Sequence, residues 1–184
     1  MNKNKTAIRI AKVQDAEAIS QVHICSWQKM YKEFIPEEVL KNLSLSERTQ
    51  QWSALINQNV RVLICELEQQ LVGFASICAF RGNSAQSAFG EISAIYLHPD
   101  YWRMGLGSQL CLAAMAELVE LGYKKVGLWV LEENSQARNF YEALGFKLSE
   151  SSKFEEFYEG GALLKEVLYV KTLDPSIASN EKNS

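Results

Sequence analysis

The chain contains, in this order, the stretches Arg103-Met104-Gly105-Leu106-Gly107-Ser108 and Asn134-Ser135-Gln136-Ala137-Arg138-Asn139-Phe140-Tyr141-Glu142-Ala143-Leu144-Gly145-Phe146. Each stretch follows a run of apolar residues with strand-like spacing and opens a segment with helical spacing. The first places glycines where its helix begins. The second begins with an Asn that can cap a helix and ends near a Gly that can stop one. Strands that alternate with helices in this way predict a mixed α/β fold around one sheet.

Apolar periodicity predicts the other elements on both sides of these stretches. The predicted strands cover residues 7–11, 61–65, 71–77, 90–97, 126–131, 154–158 and 165–172. The predicted helices cover residues 16–31 behind a cap at Asp15, a short segment that opens at Pro36 in its first turn, and residues 46–57 and 135–144. A further helix is predicted after the glycine turn, with a buried stripe of Leu110, Ala114, Leu118 and Leu121. Gly122 is expected as a left-handed helix end, and Gly145 ends the last helix.

Size and composition indicate one ordinary domain. The chain has 184 residues, of which 47% are hydrophobic, enough for one substantial core. The domain is expected over residues 1–173, and residues 174–184 are polar and aperiodic, as in a mobile tail. No stretch has the pattern of a signal peptide or the length of a transmembrane segment, which predicts a cytoplasmic protein that does not bind membranes.

Charge and cysteine placement exclude other classes of function. The formal net charge is -3, and no dense block of Lys or Arg occurs, so no binding to nucleic acid or to an anionic membrane is predicted. The cysteines are scattered through apolar segments without a Cys-x-x-Cys pair. His23 and His98 have no second His or Cys at ligand spacing, so no metal is predicted.

The turn at Gly105 and Gly107 has a physical interpretation of its own. Pro99 ends a strand, and the loop that follows leads into a helix whose first amides, from Met104 to Ser108, lack partners within the helix. These amides and the positive end of the helix dipole can bind a pyrophosphate, and glycines let the phosphates approach the backbone. A dinucleotide fold is the alternative, but it would place the glycines after the first strand, with a third glycine and a later acidic residue.

The glycine turn, together with the later Asn134 and Tyr141, resembles the acetyl-CoA site of the GCN5-related N-acetyltransferases, the GNAT superfamily. The likeness is at the level of motifs from Glu91 to Phe146 and at the level of layout from Ile8 to Leu173. It implies a mixed α/β (α+β) single domain with a central mixed, mostly antiparallel sheet of about seven strands. A splayed central strand pair and helices on both faces belong to the same pattern. The implied activity is transfer of an acetyl group from acetyl-CoA to a primary amine.

The resemblance also implies which residues bind the cofactor. Ile95, Tyr96 and Leu97 are expected beside the acetyl thioester, where amides of the pantetheine arm complete the hydrogen bonding of the sheet. Asn134 is expected to contact the same arm as well as to cap its helix.

The pyrophosphate is expected on the glycine turn, which comprises Arg103, Met104, Gly105, Leu106, Gly107 and Ser108. The family has Gln or Arg where this chain has Trp102. The usual side-chain contact is therefore absent from that position, and Arg103 is expected to supply a charge to the phosphates instead.

The reaction requires a general base, because an alkylamine is mostly protonated at neutral pH. On the family pattern the base is Glu91, for which a solvated strand-end charge is an equal alternative, and Glu132 and Glu133 compete for the role. A backbone N–H near Leu97 is expected to stabilise the tetrahedral oxyanion. Tyr141 is expected near the sulfur, where it can protonate the thiolate. An acyl-cysteine route is disfavoured, because no Cys lies beside a marked His.

The acceptor is expected to be a small amine. Trp27 and Tyr31 of the first helix can wall its pocket, although side chains at this spacing also fit core packing. A protein or peptide acceptor, and a non-catalytic acyl-CoA sensor of the same fold, are the alternatives. The expected partners are therefore a coenzyme A thioester and an amine, bound by a monomer or a homodimer.

Overall fold

A computed structural model of the chain describes residues 5–82 and 88–176. These residues form seven strands and five α-helices, together with short 3₁₀ turns at Val13–Asp15 and Pro99–Tyr101. The elements follow one another as β1 (Thr6–Ile10), α1 (Ala16–Met30), α2 (Glu37–Lys41), α3 (Leu45–Asn57), β2 (Arg61–Leu67), β3 (Gln70–Ala79), β4 (Phe89–Leu97), α4 (Leu106–Glu120), β5 (Lys125–Leu131), α5 (Ser135–Ala143), β6 (Lys147–Glu156) and β7 (Leu163–Thr172).

The strands form one sheet in the order β1-β2-β3-β4-β5-β7-β6. The pairs β1–β2, β2–β3, β5–β7 and β6–β7 run antiparallel, whereas β4 and β5 run parallel. A parallel pair needs a crossover connection, which α4 supplies between β4 and β5. The mixed, mostly antiparallel sheet of about seven strands predicted for this chain is therefore confirmed.

The chain divides into two compact units. The first unit comprises the described residues up to Ile77 together with Ala94–Ala114, and the second comprises Cys78–Ser93 together with the described residues from Met115 onward. Strand β4 and helix α4 each contribute residues to both units. The single domain over residues 1–173 stays a prediction, and residues 177–184 of the expected tail lie outside the described residues.

The core of the first unit is built where α1 packs along α3. Helix α3 begins after Ser44, whose hydroxyl accepts a hydrogen bond from the Glu47 N–H at 3.2 Å, a favourable cap. Trp52 of this helix donates its indole N–H to His23 Nδ1 at 3.1 Å, and the Phe74 ring packs against both side chains. The buried members of this core are Ala11, Ala16, Ile19, Val22, Trp52, Val62, Ile64 and Phe74.

The core of the second unit contains β5, which lies between β4 and β7 in the strand order. Leu128 and Val130 of β5 are buried, as an apolar interior strand predicts. The buried Tyr169 of β7 donates its hydroxyl to Glu142 at 2.6 Å and accepts from Arg138 Nε at 3.0 Å. Both partners belong to α5, so one hydroxyl group fastens this helix to the sheet.

Left-handed residues end several elements where the sequence predicts them. Gly122 follows α4 with φ 89°, and Gly145 follows α5 with φ 82°. Glu68 and Gln69 connect β2 to β3 with φ values of 50° and 71°, the backbone that a tight hairpin turn requires. Strands β2 and β3 therefore form an antiparallel hairpin.

Some element boundaries differ from the predictions. Strand β6 starts at Lys147, earlier than the predicted residue 154. The prediction missed this start because β6 is an edge strand with mostly exposed side chains. Without a buried face, nothing imposes the alternation from which a strand is predicted. Pro36 precedes α2 as its N-cap and does not belong to the first turn. Leu121 is 47% exposed and lies outside the buried stripe of α4.

The buried His23 should make stability depend on pH. Burial, and to a smaller extent the charge of Arg48, lowers the pKa of His23 to about 3. The pKa of a histidine in the unfolded chain is about 6.5. Between these values the unfolded chain binds a proton that the folded chain does not. The free energy of unfolding should therefore fall as the pH falls from about 6.5 to about 3, which urea denaturation at several pH values measures.

His23→Asn is the matched control for this prediction. Its side-chain oxygen can accept the hydrogen bond from Trp52, but an amide does not titrate in this range. The variant should lose most of the pH dependence in this window. An unchanged pH dependence would assign the effect to groups other than His23.

Candidate active site

The carboxyl end of β4 is held by hydrogen bonds within the first unit. The Leu97 carbonyl accepts from Ser26 Oγ at 2.7 Å and from Trp102 Nε1 at 2.8 Å. The next amide, the His98 N–H, donates to the Val72 carbonyl of β3 at 2.8 Å. Because successive residues of a strand direct their backbone polar groups to opposite edges, the N–H and carbonyl of Leu97 point away from β3.

Trp102 has a positioning role that the sequence did not reveal. Its side chain is half-buried, and its indole N–H closes the loop after β4 onto the Leu97 carbonyl. An indole nitrogen can only donate, so its burial requires an acceptor of this kind. Trp102, which replaces the Gln or Arg of the family pattern, therefore fixes the loop to the end of β4.

Two left-handed residues shape the loop that leads into α4. Arg103 has φ 61° and Gly105 has φ 78°. This backbone region costs a residue with a Cβ about 1–2 kcal/mol, so the surrounding loop must hold Arg103 in place. Arg103, Met104 and Gly105 are exposed, and α4 begins directly after them. The helix start predicted at these glycines is confirmed.

The start of α4 has the features that a pyrophosphate site requires. A Cβ built on Gly105 would meet nothing within 4 Å, so the backbone faces open space at this point. The first amides of a helix have no partners within the helix, and the helix dipole adds positive potential there. The residues present therefore fit a phosphate group that approaches the backbone closely.

Glu91 lies in the second unit, where the pairs Phe89–Lys125, Gly90–Val126 and Glu91–Gly127 join β4 to β5. Its side chain is 1% exposed. The Arg81 guanidinium lies 2.6 Å from Oε1, and the Arg81 backbone N–H donates to Oε2 at 3.0 Å. The hydrogen bond to Glu91 raises the pKa of Arg81. Glu91 is thus a buried carboxylate, and its interpretation as a solvated strand-end charge is wrong.

The competing carboxylates have different surroundings. Glu132 forms an ion pair with Lys165 at 2.8 Å, and Glu133 is exposed. A further acid, Glu166 on β7, is partly buried and lies 3.1 Å from Lys153. Burial raises the pKa of Glu166, against the opposing effect of Lys153. The sequence does not distinguish Glu166 from the other acids of the last hairpin, because its burial depends on packing between strands.

Asn134 is the N-cap of α5, and Tyr141 lies within this helix. Asn134 Oδ1 accepts from the Ala137 N–H at 3.0 Å, so the predicted helix cap is confirmed. Tyr141 is 8% exposed, and its ring packs edge-on against Phe140 and Phe146. Phe140 is less buried than Tyr141. Their roles in cofactor binding and catalysis stay predictions.

Trp27 and Tyr31 belong to an aromatic cluster of the first unit, which also contains His23 and Tyr96. Tyr31 is buried, as core packing predicts, whereas Trp27 is half-buried. The His23 ring stacks on Tyr96 with 4.8 Å between centroids, and Trp27 packs edge-on against His23 at 5.5 Å. The aromatic cluster therefore extends from α1 to β4.

The residues predicted to form the site fall into two groups. The first unit holds Trp27, Tyr31, Ile95, Tyr96, Leu97, Arg103, Met104, Gly105, Leu106, Gly107 and Ser108, and the second holds Glu91, Asn134 and Tyr141. Among residues 5–82 and 88–176, no three His, Cys, Asp or Glu side chains are grouped as a metal ion would require. Over the same ranges, no helix has both the length and the apolar character needed to cross a membrane.

Known proteins resemble this chain over most of its length. Residues 27–146 match the model of the Acetyltransferase (GNAT) family. The chain is 33% identical over 161 residues to the uncharacterized N-acetyltransferase YuaI of Bacillus subtilis. That match covers 87% of this chain and 89% of YuaI.

Solved structures share the fold. The structure of yncA from Salmonella typhimurium with its cofactor acetyl-CoA superposes with a TM-score of 0.69 at 20% identity, over 93% of this chain and 95% of the other. The PaiA N-acetyltransferase from Thermoplasma acidophilum in complex with coenzyme A gives a TM-score of 0.70 at 21% identity, over 91% and 99% of the two chains. At these identities the likeness establishes the fold.

Removal of the Arg81 side chain should destabilise the protein. In Arg81→Ala, the buried Glu91 carboxylate keeps a backbone N–H but loses the guanidinium, so the free energy of unfolding should fall by about 1–3 kcal/mol. The Arg81 side chain is 64% exposed, so solvent screens the pair and the lower half of this range is expected. Urea denaturation measures the change.

The double variant Arg81→Ala/Glu91→Gln is the control. Because it removes the charge that Arg81 balances, it should recover most of the stability that Arg81→Ala loses. Equal stability of the single and double variants would contradict the proposed cause.

Proposed function

The chain belongs to the Acetyltransferase (GNAT) family, and we propose that it transfers the acetyl group of acetyl-CoA to a small molecule by direct attack of a primary amine on the thioester. Family membership makes the chain an acetyl-CoA-dependent N-acetyltransferase. The observation that carries the proposed cofactor site is the open, left-handed turn at Gly105. This turn lies in the same compact unit as the end of β4.

The proposed cofactor site uses backbone groups of β4 and of the turn. The pyrophosphate lies on the amides from Met104 to Ser108, with Arg103 as its charged partner. The pantetheine arm runs along residues 95–97 of β4 and completes their hydrogen bonding. Asn134 contributes its side-chain NH₂ group, because its Oδ1 already caps α5. The yncA and PaiA structures, which contain acetyl-CoA and coenzyme A, support acetyl-CoA as the cosubstrate.

The proposed reaction forms a C–N bond and breaks a C–S bond. The amine nitrogen attacks the carbonyl carbon, and negative charge develops on the carbonyl oxygen. The Leu97 N–H points away from β3 and is the proposed donor to this oxyanion. Collapse of the intermediate releases the acetylated amine and the coenzyme A thiolate. A thiol has a pKa of about 8.5, so the thiolate leaves readily, and Tyr141 is the proposed source of its proton.

The proposed general base is Glu91, a carboxylate on the same strand as Leu97. Because Glu91 is buried and paired with Arg81, it cannot touch the amine directly while the pair is closed. The proton transfer is therefore proposed to run through a water molecule. Arg81 compensates the charge and allows an ionised carboxylate to remain in a buried position.

A small acceptor is favoured by the half-buried Trp27 at the edge of the aromatic cluster. An aromatic wall of this kind suits a compact molecule. A peptide acceptor would use the same donor and the same chemistry. A non-catalytic sensor would bind acyl-CoA in the same way but would release no thiol.

The variant Gly105→Ala should weaken acetyl-CoA binding, because a methyl group would occupy the space through which the phosphates approach. Its dissociation constant, measured by isothermal titration, should rise by about tenfold or more. Gly122→Ala is a matched control, since Gly122 is also left-handed and a Cβ there also meets nothing within 4 Å. Both variants should lose about 1–2 kcal/mol of stability. Equal affinities in the two variants would exclude Gly105 from the site.

Release of free thiol from acetyl-CoA across a panel of amines and peptides tests the reaction. Glu91→Gln should lower kcat by about a hundredfold or more at unchanged acetyl-CoA affinity, because the base is lost. Tyr141→Phe should lower kcat by only about tenfold, because the thiolate is a good leaving group.

The remaining outcomes separate the alternatives. Wild-type kcat in Glu91→Gln would transfer the role of base to Glu132, Glu133 or Glu166. Thiol release with peptides alone would favour a peptide acceptor. Acetyl-CoA binding without thiol release from any acceptor would favour the sensor.

A further inference from the structure

Arg48 on α3 is a half-buried cation that lies over the face of Trp27, with its guanidinium carbon 5.4 Å from the ring centroid. Trp27 packs against His23, and His23 stacks on Tyr96 of β4. The charge of Arg48 is close enough to influence both His23 and Tyr96 electrostatically. Arg48 therefore stands beside the aromatic cluster, within the same compact unit as the end of β4.

Among residues 5–82 and 88–176, no carboxylate forms an ion pair with Arg48, and the acidic residue whose charge raises the pKa of Arg48 is its neighbour Glu47. The side-chain hydrogen bond of Arg48 reaches Gln51 Oε1 at 3.5 Å, beyond the usual range for a strong bond. The adjacent Glu47 is exposed, and neighbouring residues on a helix do not face each other. Burial lowers the pKa of Arg48, yet a guanidinium stays protonated at neutral pH.

Other arginines of the chain show how a charge of this kind is normally balanced. Arg9 binds Asp15 and Glu66, each at 2.8 Å, and Arg81 binds Glu91 at 2.6 Å. A half-buried guanidinium without such a partner retains an unfavourable desolvation cost. A bound anion would remove this cost, and a guanidinium is well shaped to hold a carboxylate or phosphate with two hydrogen bonds.

The position of Arg48 connects it to the proposed reaction. Tyr96 precedes Leu97, whose N–H is the proposed oxyanion donor. His23, between Trp27 and Tyr96, is neutral at physiological pH, because burial lowers its pKa to about 3. Within the aromatic cluster and its edge, Arg48 therefore supplies the positive charge that a ligand would meet.

We propose that Arg48 binds the acceptor, and that the acceptor is an amine carrying an anionic group, most simply a carboxylate. The guanidinium holds the anion, and the apolar part of the acceptor packs on Trp27 and Tyr96 while its amino group reaches the thioester. This inference rests on the proposed function and specifies its substrate class. It also disfavours polyamines and other acceptors without an anion, because Arg48 repels their positive charge.

Matched pairs of acceptors, with and without the carboxylate, test the proposal. Suitable pairs are phenylalanine with phenethylamine, leucine with isoamylamine, and γ-aminobutyrate with propylamine. Thiol release gives kcat/KM for each acceptor with the wild type, Arg48→Gln and Arg48→Lys. The comparison is made between variants for each acceptor, so the different basicities of the amines cancel.

For at least one pair, Arg48→Gln should lower kcat/KM of the carboxylated member by about 10-fold to 100-fold and leave its partner unchanged. Arg48→Lys should retain part of the preference, because it keeps the charge but loses the planar fork. Lys32→Gln removes an exposed charge and should change neither member. Unchanged acetyl-CoA affinity in Arg48→Gln checks that the fold and the cofactor site are intact.

Equal losses for both members of every pair, or no loss for any carboxylated acceptor, would overturn the proposal. If acetyl-CoA binds but no acceptor releases thiol, the proposed function fails separately. Phenylalanine and phenethylamine are then titrated into the coenzyme A-saturated protein. Binding of phenylalanine alone, lost in Arg48→Gln, would still support the anion site, and absence of binding would overturn it.

Discussion

The peptide carbonyl of Leu97 is the point on which the arrangement of the first unit depends. A strand that ends before a loop must find partners for its last polar groups. In this chain the partners are the hydroxyl of Ser26 and the indole of Trp102. These bonds join α1, β4 and the glycine loop at one atom. The same geometry leaves the Leu97 N–H directed away from β3, which the proposed role as oxyanion donor requires.

The two units differ in how the charge of a buried or half-buried side chain is balanced. In the second unit, the carboxylate of Glu91 is buried and compensated by Arg81. In the first unit, Arg48 is half-buried over Trp27, and no carboxylate among the described residues forms an ion pair with it. A compensated charge can remain ionised in a protein interior, whereas an uncompensated one favours a ligand of opposite sign.

Local features of the sequence predicted much of the fold. The interior strand β5 is a continuous apolar run, and the helix end at Gly122 depends on a left-handed glycine. The exposed edge strand β6 has no buried face that would give its sequence a pattern. The glycine turn and the Asn134 cap were predictable for a similar reason, since each depends on backbone chemistry within a few residues. The Arg48–Trp27 contact was not predictable, because it joins side chains from separate helices that meet only after packing.

The left-handed conformation of Arg103 has a consequence for the rate and selectivity of ligand capture. A loop that orders only when its ligand arrives loses conformational entropy at that moment, which weakens binding and slows productive encounters. Here the strained Arg103, the neighbouring Gly105 and the hydrogen bond from Trp102 to Leu97 set the shape of the loop. The loss of conformational entropy that orders this loop therefore occurs when the chain folds and not when the ligand binds. If the cofactor binds there as proposed, its phosphates would meet a preorganised surface, and faster and tighter capture would offset the strain at Arg103.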